Sequence, residues 1–494
     1  MKKIIIVGGG LAGLSAGVYA QKYGFSSTIY EQHTIVGGQC TGWNRQGFHI
    51  DNCIDWLTGT KEGTLLNQLW CDLGALGDDT QLVHLKTHIV MEFDGQKVCF
   101  YNDIDKLKEE LLTIGPDDKE LIEELIQDIQ MAAVMDVPAD KPIDMYTLPE
   151  IIKMGMKMKG IGTLQKKYSG ISCEEYAAKF KTPILQKAFA CIMPKFQNAY
   201  SMVFTFATVV SGNGDIPVDG SLAMSERIRK TYESLGGKVV TGVKVEEILV
   251  KDSHAKGIRL HDGKEVTADY IIAACDVKYT FDTLLQNKYH DKKLDSCFAD
   301  YRKNPVPTSA HVSFGVDMDL KDYPTSLLFE TEKFKIAESE MTLMGIRNYA
   351  YEPSFAPKGK TVINVHISQW DQDYLWWEKL YLNKEAYNEY KENMAQEVQK
   401  RIEKRFPEWI GKLHVIDIYT PMTYKRYCNT YHGSWMSFVM APGSKQMMHN
   451  GKIKGLSNCL LAGMWIMPPG GTPVAVVTGK YAVQRICKLE KIKI

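Results

Sequence analysis

The feature that most constrains this chain is the glycine turn Gly8-Gly9-Gly10-Leu11-Ala12-Gly13, which has G-x-G-x-x-G spacing. It is entered by Ile4-Ile5-Ile6-Val7, an apolar run of the kind buried on both faces of a parallel sheet. Each glycine answers a separate physical need. Gly8 permits the tight turn, Gly10 lets the backbone approach a pyrophosphate, and Gly13 allows a helix to pack closely on the strand. Free N–H groups at the start of that helix, with Leu11 and Ala12 in its first turn, face an anion where the helix dipole favours negative charge. A second strand over residues 27–30 ends in Glu31, 21 residues past Gly10, where an acid hydrogen-bonds a ribose 2′-hydroxyl. A glycine-rich turn without ligand is the alternative. The full set of strand, turn, helix, strand and acid predicts a parallel α/β unit that binds an adenine dinucleotide.

A length of 494 residues is enough for two to four domains. The 59 Lys and Arg balance 59 Asp and Glu, so no overall field attracts nucleic acid, and no nucleic-acid partner is expected. With 45% hydrophobic residues the chain has ample apolar surface to bury, which excludes disorder. Eleven cysteines without a C-x-x-C pair form neither a disulfide framework nor a zinc site, and fit a reducing cytoplasm. Lys2-Lys3 before the apolar run imitates a signal peptide, but a glycine-punctuated helix follows in place of a cleavage site. No run approaches the roughly 18 apolar residues that span a bilayer. The longest, 202–210, reads as a core strand or helix, so the expected location is cytoplasmic, with membrane association left open.

Which dinucleotide binds is read from residues 35–60. Gly37-Gly38 is followed by Gly47-Phe48-His49-Ile50-Asp51 and Trp56-Leu57-Thr58-Gly59. This resembles the pattern of amine-oxidase-like and phytoene-desaturase-like flavoproteins, in which the segment runs past the pyrophosphate and alongside the isoalloxazine. The resemblance implies FAD, with Glu31, Gln32, Gly37, Gly38, Gln39, Asp51 and Trp56 among the residues around it. Gln39 stands where many members carry a basic residue, and Cys53 replaces a glycine after Asp51. Disulfide reductases also place a cysteine after such a glycine pair, but the partner position here is Arg45 and no second G-x-G-x-x-G follows, so Cys40 reads as a small buried residue.

Two further pieces complete the flavoprotein resemblance. The first is a helix over 221–235 with strands at 238–241, 243–250, 257–260 and 270–274; by resemblance Val245 offers its backbone to adenine, and Asp219 departs from the Pro-x-Gly-Gly pattern. The second is an apolar strand ending in Gly463, then Pro468-Pro469-Gly470-Gly471-Thr472-Pro473-Val474 and a helix to 488. A glycine pair with Pro at a helix start is another anion-ready terminus. In the family it faces the flavin's pyrimidine edge and stabilises negative charge there. Met464 replaces an acidic residue of many relatives. Trp377-Glu378, the helix 384–406 and Thr420-Pro421-Met422-Thr423-Tyr424 resemble phytoene desaturases, carotenoid isomerases and retinol saturases, the match resting on about residues 1–60 and 200–494.

Residues 75–200 carry little of that match. Pro116-Asp117-Asp118 reads as a helix start, with Leu121, Ile122, Leu125, Ile126, Ile129, Ala132 and Ala133 at helical spacing opposite Glu123, Glu124 and Asp128. Residues 151–173 hold no acid, and interleave Lys153, Lys157, Lys159, Lys166 and Lys167 with Met154, Met156 and Met158. Such a stretch suits anionic lipid or the gate of an apolar channel, or else is a solvated loop. Alternation in 363–367 and a long amphipathic helix marked by Tyr387, Tyr390, Met394, Val398, Ile402 and Phe406 predict an antiparallel substrate sheet with helices. His84 and His88 have metal-ligand spacing without a third ligand, so no metal is expected. His49 and Asp51 either move protons or, as preferred here, hold their loop by bonds to backbone.

The expected architecture is α/β: a Rossmann-like FAD domain from segments 1–75, 201–280 and 456–494, a helical cap or membrane-facing insertion at 76–200, and an α+β substrate domain with an antiparallel sheet at 281–455. The resemblance implies a flavin oxidoreductase acting on CH–CH or C=C bonds of an apolar polyene or lipid-like substrate. Desaturation, saturation and cis–trans isomerisation stay open, as do NADPH, quinone and oxygen as electron partners. An amine oxidase of the same fold and a non-catalytic flavin-binding protein are the alternatives. No side chain is singled out as catalytic, since a flavin itself carries the hard step.

Overall fold

The computed structural model describes residues 1–444 and 447–494, with the side chains of Lys157 and Lys159 also outside the described set. Lys3–Val7 is buried beyond its first residue, as its apolar run requires. It lies mid-sheet between Ser26–Tyr30 and Tyr270–Ala273, with Lys238–Val240 and Cys459–Leu461 outermost, all five strands parallel. One sheet is thus assembled from three separated pieces of chain, in the order the sequence implies.

A parallel sheet needs cover on both faces. Ile4 and Ile6 pack towards helices Leu11–Lys22 and Thr472–Leu489, whereas Ile5 and Val7 pack towards the antiparallel strands Val245–Lys251, His254–Leu260 and Glu265–Thr267. The two helices touch closely. A Cβ on Gly479 would lie 2.2 Å from the Ala12 carbonyl oxygen, and Ser15 Oγ donates to the Val476 carbonyl at 2.7 Å.

The second sheet has seven strands, in the order Leu413–Tyr419, Thr308–Val316, Thr361–Gln369, Ser339–Asn348, Ser326–Ile336, Thr87–Phe93 and Gln96–Tyr101. It is antiparallel except where Ser326–Ile336 meets Thr87–Phe93 in parallel. Ile363, Val365 and Ile367 point into a core covered by helix Lys384–Arg405 and Trp377. Residues 76–200 therefore hold two strands of this sheet as well as helices. These strands, seven and six residues long, form a hairpin whose pairing with the distant strand Ser326–Ile336 no local pattern shows.

The helical layer is built from Ile104–Ile114, Lys119–Ala133, Pro183–Cys191 and Ala199–Val210, around Phe100, Phe189 and Phe206. The apolar run at 202–210 is thus helix. The helix start expected at Pro116-Asp117-Asp118 is present, and the Asp118 carboxylate accepts from the backbone of Lys181 at 2.6 Å and Thr182 at 2.9 Å. One expectation changes in detail. Asp128, expected on the polar face, is buried and accepts from Tyr168 Oη at 2.6 Å and from Lys167. The Lys- and Met-rich stretch is not a loop but two helices, Leu148–Lys157 and Lys159–Tyr168. Among the described residues no helix is long and apolar enough to cross a membrane.

Candidate functional site

A cavity of about 1460 Å³ opens at the carboxyl ends of the parallel strands, where Val7, Tyr30, Glu31, Ala274 and Gly463 line it. Open α/β sheets place ligands at this edge. Gly8 turns the chain with φ +105°, and Gly13 has no room for a side chain: a Cβ there would sit 1.9 Å from the Gly8 carbonyl oxygen. Gly10 precedes helix Leu11–Lys22 without a side-chain cap, and no acid occupies the first turn. Helix Thr472–Leu489 starts the same way after Gly471, with Pro473 in its first turn and again no cap and no acid. Two helix starts with unsatisfied N–H groups thus share one cavity, the local chemistry that holds a phosphate or a developing anion.

Glu31 is almost buried. One carboxylate oxygen accepts from Gly9 N at 2.7 Å and the other from His33 N at 2.8 Å. Burial raises its pKa, opposed by those backbone donors. Two contacts leave lone pairs on both oxygens for further donors. Gln32 bonds the opposite wall, donating to the Tyr427 carbonyl at 2.7 Å and accepting from Asn429 Nδ2 at 2.9 Å. Gln39 donates to the Ser434 carbonyl at 2.7 Å. Leu11, Ala12, Gly37, Gly38, Trp56, Val245, Met464, Thr472 and Val474 also line the cavity. The Val245 carbonyl accepts from Tyr279 Oη at 3.4 Å.

Asp51 lies off the cavity wall. Its carboxylate is fully buried and accepts from Ser221 N at 2.6 Å, Ser221 Oγ at 2.5 Å and Cys53 N at 3.1 Å, tying the loop to helix Gly220–Ser234. Burial raises its pKa against those three donors. His49 bonds the Asn44 side chain at 2.8 Å, not backbone as expected, and packs on Phe355. Cys40 is buried, its Sγ donating to the Ser221 carbonyl at 3.7 Å. His84 pairs with Asp215 at 2.9 Å while His88 packs edge-on to Trp56, and among the described residues no cluster could hold a metal.

Beside this cavity runs a buried polar chain that the sequence does not reveal. Asn364 Nδ2 donates to His311 Nδ1 at 3.1 Å, so His311 Nε2 carries the proton towards Ser309 Oγ at 2.7 Å and Tyr424 Oη at 3.2 Å. Tyr424 Oη donates to Asn52 Oδ1 at 2.9 Å, and Asn52 Nδ2 to the Gln39 carbonyl at 3.1 Å. Burial drives the His311 pKa well down and the Tyr424 pKa up, so both stay neutral at ordinary pH. Residues 113 apart in the chain offer no local spacing from which this contact could be read.

The reach lined by the helical layer carries Met135, Met158, Ile161, Met193, Phe204 and Met440, with Gln165, Asn198, Ser201 and Thr208 among them. Flexible thioethers adapt to irregular apolar guests.

Known proteins share both the glycine turn and the overall architecture. Residues 6–73 match the NAD(P)-binding Rossmann-like domain. The chain is 23% identical to a lycopene-forming phytoene desaturase of Paracoccus sp., covering 98% of this chain and 97% of that one. It is 22% identical to a chloroplastic prolycopene isomerase of Daucus carota, over 87% of this chain and 71% of that one. Among solved structures, an oxidoreductase from Methanosarcina mazei superposes with a TM-score of 0.62 at 16% identity, covering 98% and 100% of the two chains. A putrescine oxidase redesigned in its cofactor binding gives 0.61 at 13% identity, covering 99% of each. The chain is thus similar in sequence to a phytoene desaturase and a prolycopene isomerase, and it shares the fold of a putrescine oxidase.

Proposed function

We propose that this chain is an FAD-dependent oxidoreductase acting on CH–CH or C=C bonds of an apolar, polyene-like substrate. The observation that carries this reading is the continuity of one cavity, from two uncapped helix starts and Glu31 to a methionine-rich reach. The named relatives, a phytoene desaturase and a prolycopene isomerase, support the substrate class.

Bound FAD supplies hydride exchange at its N5. In this reading the N–H groups after Gly10 bind its pyrophosphate, Glu31 accepts from the ribose hydroxyls, and Val245 flanks the adenine. Gly463, Met464 and the Gly471–Val474 turn adjoin the ring, where the helix dipole favours negative charge. Asp51 and Gly13 act indirectly, by fixing the loop and the helix. The methionine-rich reach aligns a substrate bond with the ring and excludes water. Segments 1–75, 201–280 and 456–494 then form the cofactor domain, with the substrate held between it, the seven-stranded sheet and the helical layer. The same geometry serves desaturation, saturation and isomerisation.

The test is anaerobic incubation of FAD-loaded protein, oxidised in one arm and dithionite-reduced in the other, with phytoene and with prolycopene. Products are followed by chromatography and visible absorbance. Conversion of either polyene is the expected result. In a separate aerobic arm with an amine panel, peroxide formed while both polyenes stay untouched would move the assignment to an amine oxidase, and no turnover of any class would leave a flavin-binding protein.

A further inference from the structure

The cavity has a third arm, where strand Gly42–Arg45 meets the start of helix Lys384–Arg405 and helix Pro421–Cys428. Three cations, Lys384, Lys391 and Arg426, line it together with Trp43, Tyr381 and Tyr387. None of the three cations pairs with a carboxylate among the described residues. Each lies instead over a tyrosine: Lys384 Nζ 2.7 Å from the Tyr381 centroid, Lys391 Nζ 4.9 Å from Tyr387, and the Arg426 guanidinium 4.5 Å from Tyr427. A solvated helix surface ordinarily places acids three or four residues from such cations. Here those positions hold Leu380, Tyr381, Tyr387, Asn388, Met394, Ala395, Met422, Thr423, Asn429 and Thr430, with no acid among them.

Two carboxylates face the arm. Asp417 is already committed, accepting from Trp43 Nε1 at 2.7 Å and Ile418 N at 2.8 Å and pairing with Arg45 at 3.3 Å. Glu392 is exposed on the rim of an adjoining hollow of about 320 Å³ that also takes in Lys391. The arm therefore carries an excess of positive charge. Two side chains respond to it: the hydrogen bond and charge of Lys384 hold the Tyr381 phenol below its ordinary pKa, and burial holds the Lys391 ammonium low. Lys384 and Arg426 are exposed, but Lys391 is half-buried without a carboxylate partner, a cost that a bound anion removes.

We propose that this arm is a second ligand site, made for a phosphate-bearing nucleotide, and that it holds the adenosine-phosphate half of a reduced pyridine dinucleotide. Unpaired Lys and Arg match phosphate oxygens, and aromatic faces stack a base. The arm is continuous with the main cavity, so the far half of such a ligand extends towards the proposed flavin. The inference rests on the reading that FAD fills the glycine-turn end.

The experiment is calorimetric titration of FAD-saturated protein with 2′,5′-ADP, with adenosine and with inorganic pyrophosphate, in the wild type and in the double variant Lys391→Gln, Arg426→Gln. Flavin content is measured in parallel. The expected result is saturable binding of 2′,5′-ADP, weakened at least tenfold in the variant and by added salt, with adenosine and pyrophosphate each binding more weakly and flavin content unchanged. Absence of 2′,5′-ADP binding to flavin-loaded protein, or equal affinity in the variant, overturns the site. Pyrophosphate binding as tightly as 2′,5′-ADP overturns its assignment to a nucleotide. A protein that takes up no flavin contradicts the proposed function instead. In that event only the effect of the two substitutions bears on this arm, because neither residue contacts the glycine turn. Lys384→Gln, at an exposed position, repeats the test should the double variant fold poorly.

Discussion

At the residue scale, the glycine turn and Glu31 are legible because a pyrophosphate site demands glycine at fixed spacing and an acid at a fixed distance beyond it. Asp51 is legible as a member of the pattern but not in its role. Its three donors lie at Ser221 and Cys53, and only the fold brings Ser221 to it. Asp51→Asn places an amide N–H against either the Ser221 N–H or the Cys53 N–H, so it should cost about 2–3 kcal/mol of stability in denaturant titration. FAD affinity of the folded protein should stay within about threefold, since Asp51 does not line the cavity. Glu31→Gln turns an amide N–H against Gly9 or His33 in the same way, but at the cavity wall. It should raise the FAD Kd about tenfold or more, equivalent to about 1.4 kcal/mol. Equal FAD affinity in that variant would detach Glu31 from the ribose.

His88 gives a pH dependence. Burial, aided by Arg347, lowers its pKa to about 4. The folded state thus binds fewer protons than the unfolded chain, whose histidine titrates near 6.5. The His88 contribution is complete above pH about 6.5 and is lost as pH falls through about 4. Replacing His88 with Phe should flatten the acid side of the stability curve by about 1–2 kcal/mol. A profile identical to wild type between pH 7 and 4 would contradict this.

At the element scale, long strongly patterned pieces read correctly from sequence and ambiguous ones do not. The parallel strands Lys3–Val7 and Tyr270–Ala273 are largely continuous apolar runs, and helix Lys119–Ala133 shows its apolar stripe. Thr87–Phe93 and Gln96–Tyr101 escape notice although Met91, Phe93, Val98 and Phe100 alternate with Glu92 and Lys97, because an isolated hairpin ahead of a helical segment does not announce the distant sheet it joins. Residues 151–173 leave gate, lipid contact and loop open. In the structure Met158 and Ile161 line the cavity while Leu148, Ile151, Ile152 and Met156 are exposed on the outer face. Exposed apolar side chains beside lysines form an interfacial surface. Vesicles containing phosphatidylglycerol should therefore retain the wild-type protein in flotation, and Ile151→Ser with Ile152→Ser should release it. Retention unchanged by that variant, or none in the wild type, would remove this helix as a contact.

At the scale of the whole molecule, the sequence carries the order of the three cofactor pieces, because strand–turn–helix units at both ends of the chain must share one sheet to bury both faces. It does not carry the polar chain from Asn364 to Asn52 or the cationic arm, since each assembles from residues on different sheets and helices. Such sites have no local period, and only tertiary packing creates them.

The proposed dinucleotide cradle consists of two uncapped helix starts and Glu31, and everything proposed for the chemistry depends on it. The most direct test is titration of flavin-free protein with FAD, FMN and riboflavin, following flavin fluorescence and the visible band. One FAD per chain, bound saturably and at least tenfold more tightly than FMN, is the predicted result, because in the proposed reading Glu31 and Val245 hold the adenosine half. Failure to bind FAD, or equal affinity for FMN, would contradict the account.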